Sequence, residues 1–415
     1  MLGQIKPPSK IFYGWWIVLG AALGSALYGG VYYYGFPAYF DSLVKEFQST
    51  RTVLSGAFSL ERLEIGILGP AGGWLVDKYG SRKIMMVGVL LMGAGFLLLS
   101  RVHSIIEFYL VFTLMIAIGG GLGFSTAIFT AVGNWFVKKQ GLAFGLAQSG
   151  LGLGGLLVPL VSLIISGHGW RIASLITGIA VPIVGLPIAL LMKSNPEQYG
   201  YMPDGETAAS REIKKVSQDK DYSAKEALKT SPFWFLSIAF SLRVMVTSAV
   251  MVHIMQFLLD NDFPREIAAT ALGSIAFISI AGRLIFGWLG DRVSKRFVIA
   301  GLMIMLAVSL VLLGHVDNLW SLVIFLALYA PAYGGLATLM QSIRGEYFGR
   351  KAFGTIMGFM GVVTMFGTVA GPLFAGYVWD MTGRYDFAFL VFAGAIMISL
   401  VLTLLAKRPV KTDIT

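Results

Sequence analysis

The chain has 415 residues, of which 56% are apolar and 13% charged, and its mean hydropathy is +0.75. A soluble protein carries about 25% charged residues, so this composition excludes a soluble globular domain and indicates a chain that crosses a membrane many times. The sequence contains no cysteine, which excludes disulfides and cysteine-ligated metals, and its formal net charge is +10.

Twelve apolar runs are long enough to cross a hydrocarbon core about 30 Å thick as helices. Taken in chain order they are called spans 1 to 12. The predicted spans are residues 14–38, 52–76, 84–100, 105–132, 142–165, 172–191, 233–258, 265–289, 297–314, 319–343, 353–378 and 386–406.

The 32 lysines and arginines are divided unequally between the two sides of the predicted bilayer. Twenty-three lie in the termini and in the loops after the even-numbered spans, six lie in the opposite loops, and three lie within spans. We call the richer side the basic side. The positive-inside bias predicts that the basic side and both termini are cytoplasmic. The basic excess therefore reflects topology and does not predict nucleic-acid binding.

A polar segment separates the first six spans from the last six. Residues 193–232 are too poor in apolar side chains to fold alone, and they predict a cytoplasmic linker with one surface helix around Ser223–Leu228. The predicted domains are therefore an N-terminal six-helix bundle, the linker and a C-terminal six-helix bundle. Their boundaries are residues 1–192, 193–232 and 233–415.

The two halves repeat each other. GWLVDKYGSRK begins at Gly73 in the first half, and the similar GWLGDRVSKRF begins at Gly287 in the second. Spans 5 and 11 share glycines and a proline at almost the same offset, among them Gly145 and Gly358. Duplication of a six-span unit is typical of transporters, which bind their substrate near the midplane where the repeats meet.

These motifs resemble those of a known family. GWLVDKYGSRK and its degraded copy resemble the loop signature of the major facilitator superfamily. GNWFVKKQGLAFGLAQSGLGLGG at 133–155, YGWWIV in span 1 and a lone arginine in span 8 are similar to the branch that contains monocarboxylate transporters and the oxalate:formate antiporter. The resemblance implies an all-α membrane protein, with twelve transmembrane helices in two pseudo-symmetric six-helix bundles.

Two departures from that branch affect the expected chemistry. Ser279 stands where animal monocarboxylate transporters carry an acid one turn before the span 8 arginine. Span 11 has no lysine where the oxalate:formate exchanger has one, because Lys351 precedes the span. An acidic coupling group and a second cation for a dianion are therefore both missing from their usual places.

Arg283 is the most informative charge in the sequence. It lies eight residues before Asp291, about 12 Å from the basic side along a helix. A buried arginine must face protein or water, cannot escape its cost by losing a proton, and suits a carboxylate bidentately. We expect Arg283 to anchor a substrate carboxylate; the alternative is a structural pairing with a carbonyl or an acid on a neighbouring helix.

Span 2 carries Glu61, Arg62 and Glu64, and the two glutamates share one helix face. Three solitary charges in a bilayer would be prohibitive, so some of them are expected to pair. One reading pairs Arg62 with an acid of a neighbouring helix. The other makes Glu61 or Glu64 a proton-coupling site.

Span 7 adds Arg243 near its middle and His253 near its outer end. Histidine changes charge near neutral pH, so His253 is predicted to contact substrate or carry a proton, or else to be a polar anchor at the interface. Arg243 is either a second cation for substrate or the partner of an acid in span 2.

Four tyrosines complete the predicted substrate-binding set, as hydroxyl donors on apolar bodies. They are Tyr28, Tyr32, Tyr329 and Tyr333.

The two loop signatures predict conformational latches. By resemblance, Asp77 and Asp291 are expected to hold basic groups and a helix N-terminus of the other half and so to stabilise an outward-open state. The basic residues assigned to these latches are Lys78, Arg82 and Arg292.

The sequence thus predicts a secondary active transporter of a small organic anion, most simply proton symport of a monocarboxylate such as lactate or pyruvate. An anion exchanger of the oxalate:formate type is the alternative, and a drug/proton antiporter is a weaker one. No ATP-binding GxxxxGK[ST] motif and no catalytic set is present, so neither enzymatic activity, a cofactor nor a metal is expected. Substrate, proton and lipid bilayer are the expected partners of a monomer in the plasma membrane of a bacterium or archaeon.

Overall fold

The computed structural model describes residues 11–205 and 221–409, and the described part contains helices and loops without strands. Within these described residues, eleven helices are long and apolar enough to cross a membrane. A twelfth, Arg51–Tyr79, has 29 residues but carries the three charges of span 2. The predicted all-α architecture of twelve spans is therefore confirmed.

Several spans extend beyond their predicted limits. Spans 7, 10 and 11 have 30 residues each, about 45 Å of helix, so their ends project past a ~30 Å hydrocarbon core. The observed spans, apart from span 2 given above, are Gly14–Glu46, Ser81–Leu99, Ile105–Trp135, Gln140–His168, Trp170–Leu191, Ser231–Asp260, Arg265–Gly290, Lys295–Leu313, Leu319–Phe348, Phe353–Thr382 and Asp386–Leu405.

Helix ends follow local sequence signals. Span 2 starts after Thr50, whose side chain accepts a hydrogen bond from Val53 N–H, and it stops at Gly80, where φ is +90°. Span 10 starts with a capping box between Asn318 and Ser321. The linker helix is present as Ala224–Leu228, capped by Ser223, as the sequence predicts.

The described residues cluster into two compact units. The first comprises residues 11–138, 146–205, 221 and 350–358, and the second comprises 139–145, 222–349 and 359–409. Each unit thus takes most of one sequence half plus the start of one helix from the other half, span 11 in the first and span 5 in the second.

The second unit is packed through glycines. Span 10 packs on spans 8 and 9, and span 12 packs on spans 7 and 9. Where spans 7 and 11 meet, a Cβ on Gly371 would overlap the carbonyl oxygen of Met245. Small residues at such positions allow the close helix approach that stabilises membrane proteins.

A proline in span 11 is compensated by a hydroxyl of span 7. Pro372 has no N–H, so the carbonyl of Thr368, four residues earlier, lacks its helical partner. The Ser248 hydroxyl donates a hydrogen bond to that carbonyl at 3.2 Å. The helix therefore continues past the proline without a buried unpaired acceptor.

The glycine contact makes a stability prediction. Gly371→Ala forces spans 7 and 11 apart, at a cost of about 1–3 kcal/mol, and we expect the thermal unfolding midpoint of the purified protein to fall. Gly361→Ala on the same helix is the control, because a Cβ there meets nothing within 4 Å. Equal midpoints for the two variants would contradict the packing described here.

Candidate functional site

A guanidinium of span 7 lies against span 10 in the second unit. Arg243 is buried and donates a hydrogen bond from Nη2 to the Tyr333 carbonyl at 3.0 Å. Its guanidinium carbon also lies 5.4 Å from the centre of the Tyr333 ring, a cation–π distance. Arg243 therefore lies beside one of the predicted substrate tyrosines within the second unit.

Arg283 lies in a layer where spans 8 and 10 make a close contact. Its side chain is 4% exposed. A Cβ on the adjacent Gly282 would overlap the Pro331 carbonyl oxygen, so span 8 contacts span 10 between Tyr329 and Tyr333. The Ser279 hydroxyl donates to the carbonyl of Ala276 in its own helix. Ser279 thus supplies no acid and is satisfied locally.

Tyr329 carries an unsatisfied polar group in the same layer. It is fully buried and stacks between Phe325, at 5.0 Å, and Tyr333, at 6.1 Å between ring centres. Its hydroxyl makes no hydrogen bond with any described residue. A buried hydroxyl without a partner costs about 1–3 kcal/mol, which a ligand acceptor would recover.

His253 lies apart from this layer. It follows Arg243 by ten residues, about 15 Å along span 7. Its Nδ1 is 3.1 Å from the Tyr385 hydroxyl and its Nε2 is 3.0 Å from the Pro372 carbonyl. Since a carbonyl only accepts, the neutral ring carries its hydrogen on Nε2 and accepts from Tyr385 at Nδ1. Both ring nitrogens are therefore engaged, and Tyr385 is a partner that the sequence did not indicate.

The predicted span 1 tyrosines meet the span 2 acids in the first unit. The rings of Tyr28 and Tyr32 are 5.2 Å apart, and Tyr32 lies beside Glu61. The Tyr32 hydroxyl is buried and makes no hydrogen bond of standard geometry with the described residues. Arg62 is exposed and forms no salt bridge in the described part of the chain, so the predicted ion pair with a neighbouring helix is not found there.

Glu64 lines a cavity of about 300 Å³ within the first unit. Tyr28, Ser125 and Thr126 line the same cavity, and the last two belong to a π-helical turn, Gly121–Thr126, of the glycine-rich span 4. The Oε2 atom of Glu64 is buried without a hydrogen-bond partner among the described residues. A carboxyl group in this environment is suited to taking up and releasing a proton.

Each loop-signature aspartate caps the start of a distant helix. Asp77 accepts hydrogen bonds from the N–H groups of Gly354, at 3.0 Å, and Thr355, at 2.8 Å, and from the Thr355 hydroxyl at 2.7 Å. Asp291 accepts from the N–H groups of Gly141, at 2.7 Å, and Leu142, at 2.8 Å. Carboxylates stabilise helix N-termini because the first N–H groups lack helical partners.

These two caps reproduce the internal repeat. Asp77 and Asp291 occupy the same position in the two loop signatures, and the pairs that they cap, Gly354–Thr355 and Gly141–Leu142, are related by almost the same offset. The glycine contacts behind them repeat as well: Gly73 meets Gly354, and Gly287 meets Gly141.

The basic residues of the loops have other contacts. Lys78 lies over the Trp74 ring at 4.5 Å, and Arg292 over the Trp288 ring at 3.9 Å. Arg82 donates to the carbonyl of Met192 at 2.9 Å. The ion pairs near Asp291 come instead from Lys295, which is 2.9 Å from Glu346 and 3.9 Å from Asp291. Sequence reasoning missed this triad because its members lie on different elements.

Arg350 is a second residue that sequence reasoning missed. It precedes span 11, donates to the Asn134 carbonyl at 2.7 Å, and pairs with Glu197 of the linker at 2.7 Å. The linker start is thereby fixed to the start of span 11 within the first unit.

Comparison with known proteins agrees with this architecture. The family model described as Major Facilitator Superfamily matches residues 21–289 and 257–414. Monocarboxylate transporter 13 of Rattus norvegicus is 27% identical over 405 residues, covering 96% of this chain and 90% of that protein. The oxalate:formate antiporter of Oxalobacter formigenes is 27% identical over 350 residues, covering 81% and 78%.

Solved structures share the fold. The proton:xylose symporter XylE has a TM-score of 0.75 at 15% identity, covering 94% of each chain. The human organic anion transporter MFSD10 has a TM-score of 0.69 at 14% identity, covering 94% of this chain and 98% of that one.

The Asp291 cap makes a testable prediction. Asp291→Asn keeps one hydrogen-bond acceptor but removes the charge. Because charge-assisted hydrogen bonds contribute about 1.5–3 kcal/mol, we expect the start of span 5 to detach about tenfold more often in this variant. Because the chain has no cysteine, Ala143→Cys, at a buried position, can report this by its maleimide labelling rate.

The control is Asp262→Asn, the same chemical change at an exposed residue. Equal labelling of Ala143→Cys with and without Asp291→Asn would show that the cap does not hold the start of span 5.

Proposed function

This chain belongs to the Major Facilitator Superfamily, and we propose that it carries small monocarboxylates across the membrane together with a proton. The chain is a transporter related to monocarboxylate transporters and to an oxalate:formate antiporter. The proposal adds the substrate class, the coupling ion and the residues that act.

The observation that carries the proposal is the layer in the second unit that contains the buried Arg283 on span 8 and, on span 10, Tyr329 and Tyr333 on either side of the Pro331 contact. Arg283 is buried in span 8, next to a close contact with span 10. A guanidinium fork matches a carboxylate, and the Tyr329 hydroxyl offers a further donor. In our proposal Arg283 takes the carboxylate, and Tyr329 and Tyr333 contact the rest of the substrate.

The proton is assigned to the acidic cluster of the first unit. Glu64 has an unpartnered buried oxygen facing a cavity, and Glu61 lies beside Tyr32. Protonation of one glutamate neutralises a charge that is costly to bury inside the bilayer, so that proton uptake and release can be coupled to the conformational change. Tyr28 and Tyr32 would hydrogen-bond these acids. His253, held by Tyr385 and Pro372, is a further proton position near the predicted outer side.

The latches supply the conformational part of the proposal. Asp77 and Asp291 each hold the start of one helix by charge-assisted hydrogen bonds. Alternating access needs two states within a few kcal/mol of each other, and contacts of this strength can be broken and remade. We propose that both caps release when the cytoplasmic side opens, in a monomer in a bacterial or archaeal plasma membrane.

Anion exchange is the second candidate function. Arg243 places a second buried guanidinium against Tyr333, and two cations suit a dianion such as oxalate. The oxalate:formate antiporter among the relatives points the same way. Exchange requires internal anion and is indifferent to a pH gradient, which separates it from symport.

Uptake into proteoliposomes tests substrate and anchor together. We expect acid outside to accelerate uptake of labelled lactate or pyruvate by the parent protein. Arg283→Lys keeps the charge but loses the fork, and we expect at least about a tenfold loss, the size of one charge-assisted hydrogen bond. Arg384→Lys, an exposed residue paired with Asp386, is the matched control. If Arg283→Lys transports as fast as an active parent, Arg283 does not anchor the substrate carboxylate.

Glu64→Gln tests the coupling site. An amide cannot take up a proton, so we expect this variant to lose stimulation by an inward proton gradient while it still exchanges labelled for unlabelled lactate. Glu266→Gln, at an exposed residue in the first turn of span 8, is the control. Retention of gradient stimulation in Glu64→Gln would assign the proton elsewhere, and the same measurement on Glu61→Gln would then test the second acid.

A further inference from the structure

Span 10 contains a buried arginine that the sequence pattern places outside the membrane. The predicted span ends at residue 343, which leaves Arg344 in the following loop. The helix instead continues to Phe348, and Arg344 is only 8% exposed. It lies in the second unit, four residues before the basic-side end of the helix.

Arg344 is held by neutral groups. Its Nη1 donates to the Gln341 side-chain oxygen at 2.7 Å, and its guanidinium carbon lies 5.1 Å from the centre of the Phe240 ring. Its Nε is buried without a hydrogen-bond partner, and Arg344 forms no salt bridge within the described ranges 11–205 and 221–409. A buried cation without a counter-ion destabilises the fold, so a purely structural role does not account for it.

Arg344 lies on the same face of span 10 as Tyr333. The two are 11 residues apart, about three helical turns or ~16 Å. From Tyr333 towards Arg344, a stripe at four-residue spacing is formed by Tyr333, Ala337 and Gln341. Each of the three is partly exposed, while most of their neighbours on the helix are buried. The stripe begins at Tyr333, which Arg243 contacts, and ends at Gln341, which Arg344 contacts.

We infer that Arg344 is a second carboxylate-binding residue, which receives the substrate anion on the basic side after it leaves the layer of Arg283 and Tyr333. The inference rests on the proposed transport of carboxylates. Arg344 offers its Nε–H, which makes no hydrogen bond with the described residues, and Gln341 and Phe240 hold the guanidinium beside the end of the stripe.

The inference predicts an effect confined to one side of the membrane. The substrate is whichever of labelled L-lactate, pyruvate, formate or oxalate the parent transports fastest. KM is measured in whole cells and in inverted vesicles from the same cells, which offer the substrate to opposite sides. For Arg344→Gln we expect KM on the basic side to rise about tenfold and KM on the other side to change by less than about twofold.

Stability separates binding from a structural role. Removing an uncompensated buried charge should raise the thermal midpoint of purified Arg344→Gln, whereas loss of a structural arginine would lower it. Arg344→Lys retains the charge without the fork and gives a folded second variant with a smaller KM change on the same side. Arg408→Gln removes an exposed basic-side charge and is the control.

The outcomes are distinguishable. A parent that transports none of the four anions refutes the proposed function. A parent that transports one of them, with an Arg344→Gln variant whose two KM values are unchanged or rise equally, refutes the second binding position alone. A lowered midpoint with unchanged KM assigns Arg344 a structural role.

Discussion

Two arginines of the second unit, Arg243 and Arg283, are buried in membrane-spanning helices, where a charge is costly. Arginine does not lose its proton at accessible pH, so its cost must be offset by hydrogen bonds, aromatic faces or an anion. Arg243 uses a backbone carbonyl and the face of Tyr333. Arg283 is buried where glycines bring spans 8 and 10 together. The helix packing of this unit therefore accommodates two buried cations.

The internal duplication accounts for the two helix caps, whereas the charged residues within the spans differ between the two repeats. Asp77 and Asp291 repeat at almost the same offset as the helix starts that they cap. Eight residues before each aspartate, however, the first half has Gly69 and the second has Arg283. Gly69 packs on Gly358, and the Arg283 backbone packs on Gly145, at corresponding positions. One repeat thus carries an arginine where the other carries only a glycine contact, and the glutamates of span 2 lie in the other unit.

The sequence was sufficient for everything that depends on hydropathy and periodicity. The twelve spans, the linker helix after Ser223 and the family resemblance all follow from local pattern. Contacts between distant elements did not follow, because residue type does not specify a partner. Tyr385 beside His253 and Glu346 beside Lys295 are examples. Arg344 was missed for a different reason, since a charge at the end of an apolar run was taken as the end of the span although the helix continues, buried, to Phe348.

Ligand-induced stabilisation of the purified protein tests the central claim most directly, because it needs neither a gradient nor an orientation. A ligand that binds only the folded state raises the thermal midpoint in proportion to its binding. With an anion held by Arg283, lactate should raise the midpoint of the parent, its uncharged analogue lactamide should not, and Arg283→Lys should lose most of the rise. Equal stabilisation by lactate and lactamide, or an undiminished rise in Arg283→Lys, would contradict a carboxylate site at Arg283.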